Sequence, residues 1–179
     1  MTQRPTPSLF RRARRGVLAM VALTCLVALG GALAAQYGWD MRPCPWCIFQ
    51  RVVYLAIAAV ALLGWLLPQR IAALLASLGV LVLALGGVAS AVFQHQVAAK
   101  DSSCAFTLAD RFLAATGLES ALPWLFQVTA SCADAASATL LGVGFDVLSG
   151  LLFALLACTA SVLLWHLRRR RLWRSRLQD

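Results

Sequence analysis

Four stretches of the chain are apolar for long enough to cross a lipid bilayer, and short polar segments separate them. A hydrocarbon core about 30 Å thick requires roughly 20 apolar helical residues. Residues 16–35, 48–67, 71–93 and 147–166 meet that requirement, and the only charge inside them is Arg51, in the first turn of the second stretch. The apolar character is continuous, with Gly, Ala, Ser and Thr scattered through it. That pattern predicts helices packed against one another in lipid. It excludes barrel strands, which alternate over about ten residues. The expected fold is therefore an all-α membrane protein, one integral domain over residues 1–179 built as a four transmembrane helix bundle. Loops of residues 36–47 and 94–146 flank the second and third spans, which are joined by a tight turn at Pro68, Gln69 and Arg70. In the long loop, Phe106, Ala109, Phe112 and Leu113 recur near helical spacing over residues 105–116, with Gly117 as a C-cap. Leu122, Trp124, Leu125, Phe126 and Val128 around Pro123 predict a short helix on the membrane surface, with Trp124 at the headgroups.

Composition narrows the class further. Hydrophobic residues make up 61% of the chain and charged residues 13%, against averages of about 45–50% and 25%. Mean hydropathy is +0.78. So little charge excludes a disordered chain, and so much apolar surface excludes a small soluble domain. A net charge of +9 suits a nucleic-acid partner, but its distribution does not. Arg4, Arg11, Arg12, Arg14 and Arg15 precede the first span, Arg70 lies in the tight turn, and Arg168–Arg171, Arg174 and Arg176 follow the fourth. With four spans, all of these fall on one side. The opposite side holds Arg42, Lys100 and Arg111, with Arg51 near its interface. The positive-inside rule then places both termini in the cytoplasm and both larger loops outside. The arginine tracts read as topology signals and anionic-lipid contacts, with no nucleic-acid partner expected. Arginines, an apolar run and the small residues 32–35 also resemble a cleavable signal peptide. The run is longer than the usual signal core of about 7–15 residues, so retention as a helix is expected.

Candidate chemistry lies in the six cysteines. Cys25 and Cys158 fall inside the first and fourth spans, where buried thiols serve as small packing residues. The other four share the side opposite the arginines: a C-x-x-C at Cys44-Pro45-Trp46-Cys47, and Cys104 and Cys132 in the long loop. An even set in an oxidising compartment implies disulfides. Three pairings are possible; the two-residue spacing suits a redox-active local bridge, which leaves Cys104 with Cys132. Structural staples are one alternative. Zinc is another, although zinc ribbons use two close pairs and Cys104 and Cys132 are far apart. Cys47 carries the redox reading. It enters the second span, where unpaired N–H groups give partial positive charge, and Arg51 four residues on shares its helical face. Both features favour a thiolate. Arg51 as an interfacial, snorkelling arginine is the plain alternative, but a charge inside a span beside a C-x-x-C points to function. No βαβ pattern surrounds the motif, so it does not belong to a thioredoxin domain. A dithiol at the outer edge of a bilayer is placed to pass two electrons to a lipid-soluble carrier, of which quinone is the obvious one.

The run Pro43-Cys44-Pro45-Trp46-Cys47-Ile48-Phe49-Gln50-Arg51 resembles the signature of the disulfide bond formation protein B family, DsbB. The four spans, the cytoplasmic termini and the loop cysteines match as well, so the resemblance covers the whole chain. It implies an enzyme of the bacterial inner membrane that reoxidises a DsbA-like periplasmic thioredoxin-fold protein and passes the electrons to ubiquinone or menaquinone. The implied course begins with attack of the partner's thiolate on Cys104 of a Cys104–Cys132 disulfide, releasing Cys132. The Cys44–Cys47 disulfide then reoxidises the loop pair through Cys44, leaving Cys47 as the thiolate facing quinone, with Arg51 binding or polarising it. His95, just after the third span, matches a family histidine near the quinone. Vitamin K epoxide reductase–like proteins carry the C-x-x-C after the loop cysteines, whereas here it precedes them. A paralogue serving another thioredoxin-fold partner and a membrane scaffold with structural disulfides are the remaining alternatives.

Overall fold

The computed structural model describes residues 7–98, 107–136, 139–140 and 142–175. Three long helices come first: α1 (Pro7–Gly38), α2 (Pro45–Leu66) and α3 (Arg70–Gln96). The long connection then holds α4 (Leu108–Thr116), the single turns α5 (Leu118–Ala121) and α6 (Pro123–Phe126), and α7 (Cys132–Ala136). A two-stranded antiparallel hairpin, β1 (Thr139–Leu140) and β2 (Val143–Gly144), leads into the long helix α8 (Phe145–Ser175). Among the described residues, four helical segments are long and apolar enough to cross a membrane: Phe10–Gly38, Pro45–Leu66, Arg70–Gln96 and Phe145–Arg169.

The helices outrun the apolar stretches that announced them. α1 and α8 continue into their arginine tracts, because arginine is a good helix former and the backbone ladder does not stop where the hydrocarbon ends. α2 begins at Pro45 rather than at residue 48, so Cys47 lies inside its first turn. α3 runs to Gln96, so His95 sits in its last turn and not in a loop. Pro68 ends α2, since it offers no N–H and holds Leu67 in an extended conformation. In the long connection, α4 is capped by the Thr107 side chain, which accepts from the Asp110 amide at 3.4 Å. It closes at Gly117, whose φ of 63° is the left-handed cap that glycine adopts without strain. Residues 105 and 106 of the expected helix lie outside the described residues, and the segment around Pro123 forms one turn only.

α2 packs against both α1 and α3, and α3 packs along α8; α1 and α8 are not among the closely paired helices. The core joins Val21, Ala22 and Cys25 of α1, Ile57 and Ala61 of α2, Val80 and Ala84 of α3, and Phe153 and Leu156 of α8. Small residues set the spacing. At Gly87 an added Cβ would stand 2.5 Å from the Phe153 ring, and that ring stacks on Tyr54 with centroids 4.2 Å apart. Cys25 is a packed core residue, whereas Cys158 faces outward from α8 and contributes nothing to the core.

Arginine side chains tie one end of the bundle together. Arg14 donates to the Pro68 carbonyl, Arg15 Nε to the Trp65 carbonyl at 2.9 Å, and Arg70 to the Leu167 carbonyl. The start of α1, the α2–α3 turn and the far part of α8 therefore share that end. The C-x-x-C and the short loop elements occupy the other.

Candidate redox site at the start of α2

The local sequence explains the placement of the C-x-x-C. Pro45 takes the first helical position, where a missing N–H costs nothing. Cys44 is the N-cap, with an extended backbone and a sulfur that accepts from the Cys47 amide at 3.4 Å. The two cysteine sulfurs are 3.1 Å apart, and both residues are free thiols. Cys44 is fully buried and Cys47 half-buried. The hydrogen bond to the Cys47 sulfur, and then burial, push the Cys44 thiol well above its ordinary range.

Loop residues dock on this helix end. The amides of Thr129 and Ala130 donate to the Pro43 carbonyl at 3.0 and 3.2 Å. That pairing brings Cys132 into one buried cluster with Cys44, Trp46, Ala98 and Ala109. Cys132 is disulfide-bonded; Cys104 lies outside the described residues. A second cluster joins Ile48 to Leu29, Leu113, Leu125 and Phe126, fastening α4 and α6 to α1 and α2.

Arg51 is 5% exposed and does not snorkel. Nη1 donates to the Leu125 carbonyl at 2.9 Å and Nη2 to the Ala32 carbonyl at 3.5 Å. Those bonds use only part of a guanidinium's donor set of about five. Cys47 and Arg51 both line a cavity of about 500 Å³ in the gap between α1 and α8. One wall comes from Ala28, Gly31, Ala32 and Ala35 of α1, another from Phe145, Leu148, Ser149 and Leu152 of α8. α2 forms the back with Cys47, Gln50, Arg51 and Tyr54. Trp39 and Arg42 stand at the outer end. His95 does not line the cavity; its Nδ1 pairs at 2.6 Å with Asp146, which does.

The family model described as disulfide bond formation protein DsbB matches residues 14–163. Disulfide bond formation protein B 1 of Pseudomonas syringae pv. syringae is 33% identical over 70% of this chain and 75% of its own length. Disulfide bond formation protein B of Polaromonas naphthalenivorans is 31% identical over 89% of this chain and 96% of its own. The protein of that name from Dechloromonas aromatica is 32% identical over 78% and 86%. The chain belongs to the DsbB family. Membership, together with four membrane-spanning helices, makes it a multi-pass membrane oxidoreductase of disulfide bond formation.

Three features of this DsbB-family site escaped the sequence reading. Gln50 donates to Gln94 at 2.8 Å, and Gln94 Nε2 in turn approaches Cys47 Sγ at 3.4 Å and Cys44 Sγ at 3.6 Å. Both glutamines are buried. The signal for Gln50 was available, as a polar residue inside a span and one turn from Cys47. Gln94, 47 positions from Cys47, had none. Tyr54 and Ser149 form the third feature, a hydroxyl pair 3.0 Å apart that joins the α2 and α8 parts of the cavity lining.

Proposed function

We propose that the protein reoxidises a DsbA-like periplasmic thioredoxin-fold partner by thiol–disulfide exchange and passes the two electrons to a membrane quinone, ubiquinone or menaquinone. In this reading it is a single domain of the bacterial inner membrane. The arginine-rich end and both termini face the cytoplasm, and the cysteine loops, about 36–47 and 94–146, face the periplasm. The observation that carries the reading is that Cys47 and Arg51 share the wall of one apolar cavity while Cys44, behind them, packs with Cys132.

The division of labour follows from that arrangement. The loop disulfide, assigned to Cys104 and Cys132, accepts electrons first: the partner's thiolate attacks Cys104, a mixed disulfide forms, and Cys132 leaves as thiolate. The partner's second thiol completes its disulfide and leaves the loop pair reduced. The loop pair then reduces the Cys44–Cys47 disulfide through Cys44, its packed neighbour. Each exchange depends on the thiolate fraction of the attacker and on the leaving group. Cys47 holds the electron pair at the cavity wall.

The cavity fits a quinone, being largely apolar with a few convergent polar groups and of the usual size for a ligand site. Bound there, a quinone supplies the two-electron, two-proton acceptor. Arg51 holds a fixed positive charge beside Cys47 and beside the place where an oxygen gains negative charge, and low local dielectric strengthens both interactions. His95 serves the site through Asp146, which it pairs and orients at the cavity edge.

Purified protein, reduced partner and a short-chain quinone provide the test, with quinone absorbance as the readout. Ser at Cys44, Cys47, Cys104 or Cys132 is expected to abolish turnover, and Cys132→Ser to accumulate a mixed disulfide through Cys104. A folded variant at any of these four positions that still turns over would overturn the assignment.

A further inference from the structure

Tyr54 is 7% exposed, packed face to face on Phe153, and its hydroxyl stands 3.0 Å from Ser149 Oγ. Both residues line the cavity, Tyr54 on α2 one turn beyond Arg51 and Ser149 on the facing wall of α8. Tyr54 is three residues beyond Arg51 on α2, so the two share one face; from there Arg51 Nη2 reaches toward the Ala32 carbonyl of α1, whereas the Tyr54 hydroxyl reaches Ser149 of α8 on the opposite wall. Of the other polar lining, Gln50 donates to Gln94, Gln94 faces the sulfurs, Asp146 pairs with His95 and Arg42 stands at the outer end, which leaves two donor stations inside the cavity, between its α1 and α8 walls. One is a fixed cation, the other a pair of neutral hydroxyls. The two hydroxyls carry two protons, and only one lies between their oxygens. The Tyr54 hydroxyl also reaches the Ser149 carbonyl, at 3.3 Å, beyond the usual range for O–H donors. Its proton can turn from that long contact to a ligand at small cost.

A para-quinone has the complementary shape, with two carbonyl oxygens on opposite sides of one flat ring. We infer that the Tyr54–Ser149 hydroxyl pair is the second anchor of the quinone, holding one carbonyl while Arg51 holds the other. This rests on the quinone reading of the cavity and adds to it the selection of para- over ortho-quinones. Tyr54 acts as a hydrogen-bond donor that orients the ring; no proton leaves it. An ortho-quinone, with adjacent carbonyls, reaches one station only.

The test is equilibrium binding to the detergent-solubilised full chain, by calorimetry, using a short-chain alkyl para-benzoquinone and its ortho isomer. KM for quinone is measured in parallel. Tyr54→Phe keeps the ring on Phe153 and removes only the hydroxyl. It is expected to weaken para-quinone binding about 3- to 10-fold, the range of one net hydrogen bond, and to leave ortho-quinone binding unchanged. Ser149→Ala should produce a smaller loss of the same selectivity. If Tyr54→Phe binds the para isomer as tightly as the wild type does, or loses both isomers equally, the second anchor is overturned while the quinone reading stands. If the wild-type chain binds neither isomer, the quinone reading itself fails and the anchor with it.

Discussion

Gln94 connects the two sulfurs of the C-x-x-C to the rest of the bundle. Its carbonyl oxygen accepts from Gln50, which fixes the amide so that its NH₂ faces Cys44 and Cys47. A neutral donor there stabilises negative charge on either sulfur without competing with Arg51 for the substrate. Gln94→Leu strips that donor and leaves the buried Gln50 without its acceptor, a loss of about 1–3 kcal/mol. The expected outcome is a lowered Tm together with roughly tenfold slower quinone-linked reoxidation of Cys44 and Cys47. Mixed-disulfide formation with the partner, followed separately on gels, should keep its rate, because that step belongs to the loop. A Gln94→Leu protein of lower Tm but unchanged turnover would reduce the glutamine pair to a packing feature. Cys44 and Cys47, three positions apart, thus differ in environment far more than in sequence: one is fully buried, the other faces the cavity.

Among the elements, the α3–α8 contact carries the site. Near the point where α8 brings Ser149 and Asp146 to the cavity, Gly87 lets Phe153 lie against α3 and stack on Tyr54. A methyl group at Gly87 would overlap the ring at 2.5 Å, so either Phe153 leaves its stack or the helices part. Gly87→Val is expected to cost about 1–3 kcal/mol by overpacking, seen as a lower Tm. It should also raise KM for quinone more than it lowers exchange at the loop cysteines. Were Tm and KM both unaffected, the close approach would not be what positions α8. The loop elements follow a different logic. α4 is local, set by the Thr107 cap and Gly117, whereas α6 is one turn that owes its place to Arg51 and to the cluster around Ile48.

For the molecule as a whole, arginine placement and helix packing agree on a polarity. Arg14, Arg15 and Arg70 join the α1 start, the α2–α3 turn and α8 at one end, with the cysteine site at the other. Single cysteines at Gln69 and Ser120, both exposed positions, report on it in a background lacking the native thiols. In intact cells, a membrane-impermeant maleimide should label Ser120→Cys and spare Gln69→Cys until the membrane is broken. The reverse pattern would invert the topology and remove a periplasmic partner from consideration.

The spans, the expected polarity and the candidate cysteines are all read from the chain by local means. Apolar length, arginine asymmetry and the C-x-x-C followed by Arg51 are all one-dimensional quantities that need no partner in space. Helix ends were less legible, because hydropathy marks where lipid begins, while a helix ends where its backbone loses partners. That is why Cys47 and His95 moved from loop to helix. Tertiary structure alone decided what surrounds the sulfurs. The burial of Arg51 depends on the carbonyls of Leu125 and Ala32. The glutamine pair joins residues 44 positions apart, and the Tyr54–Ser149 pair joins residues 95 apart. The cavity exists because α1 and α8 do not close on each other. Periodicity reports which face of a helix is apolar, but not which neighbour that face meets or whether a gap remains between them.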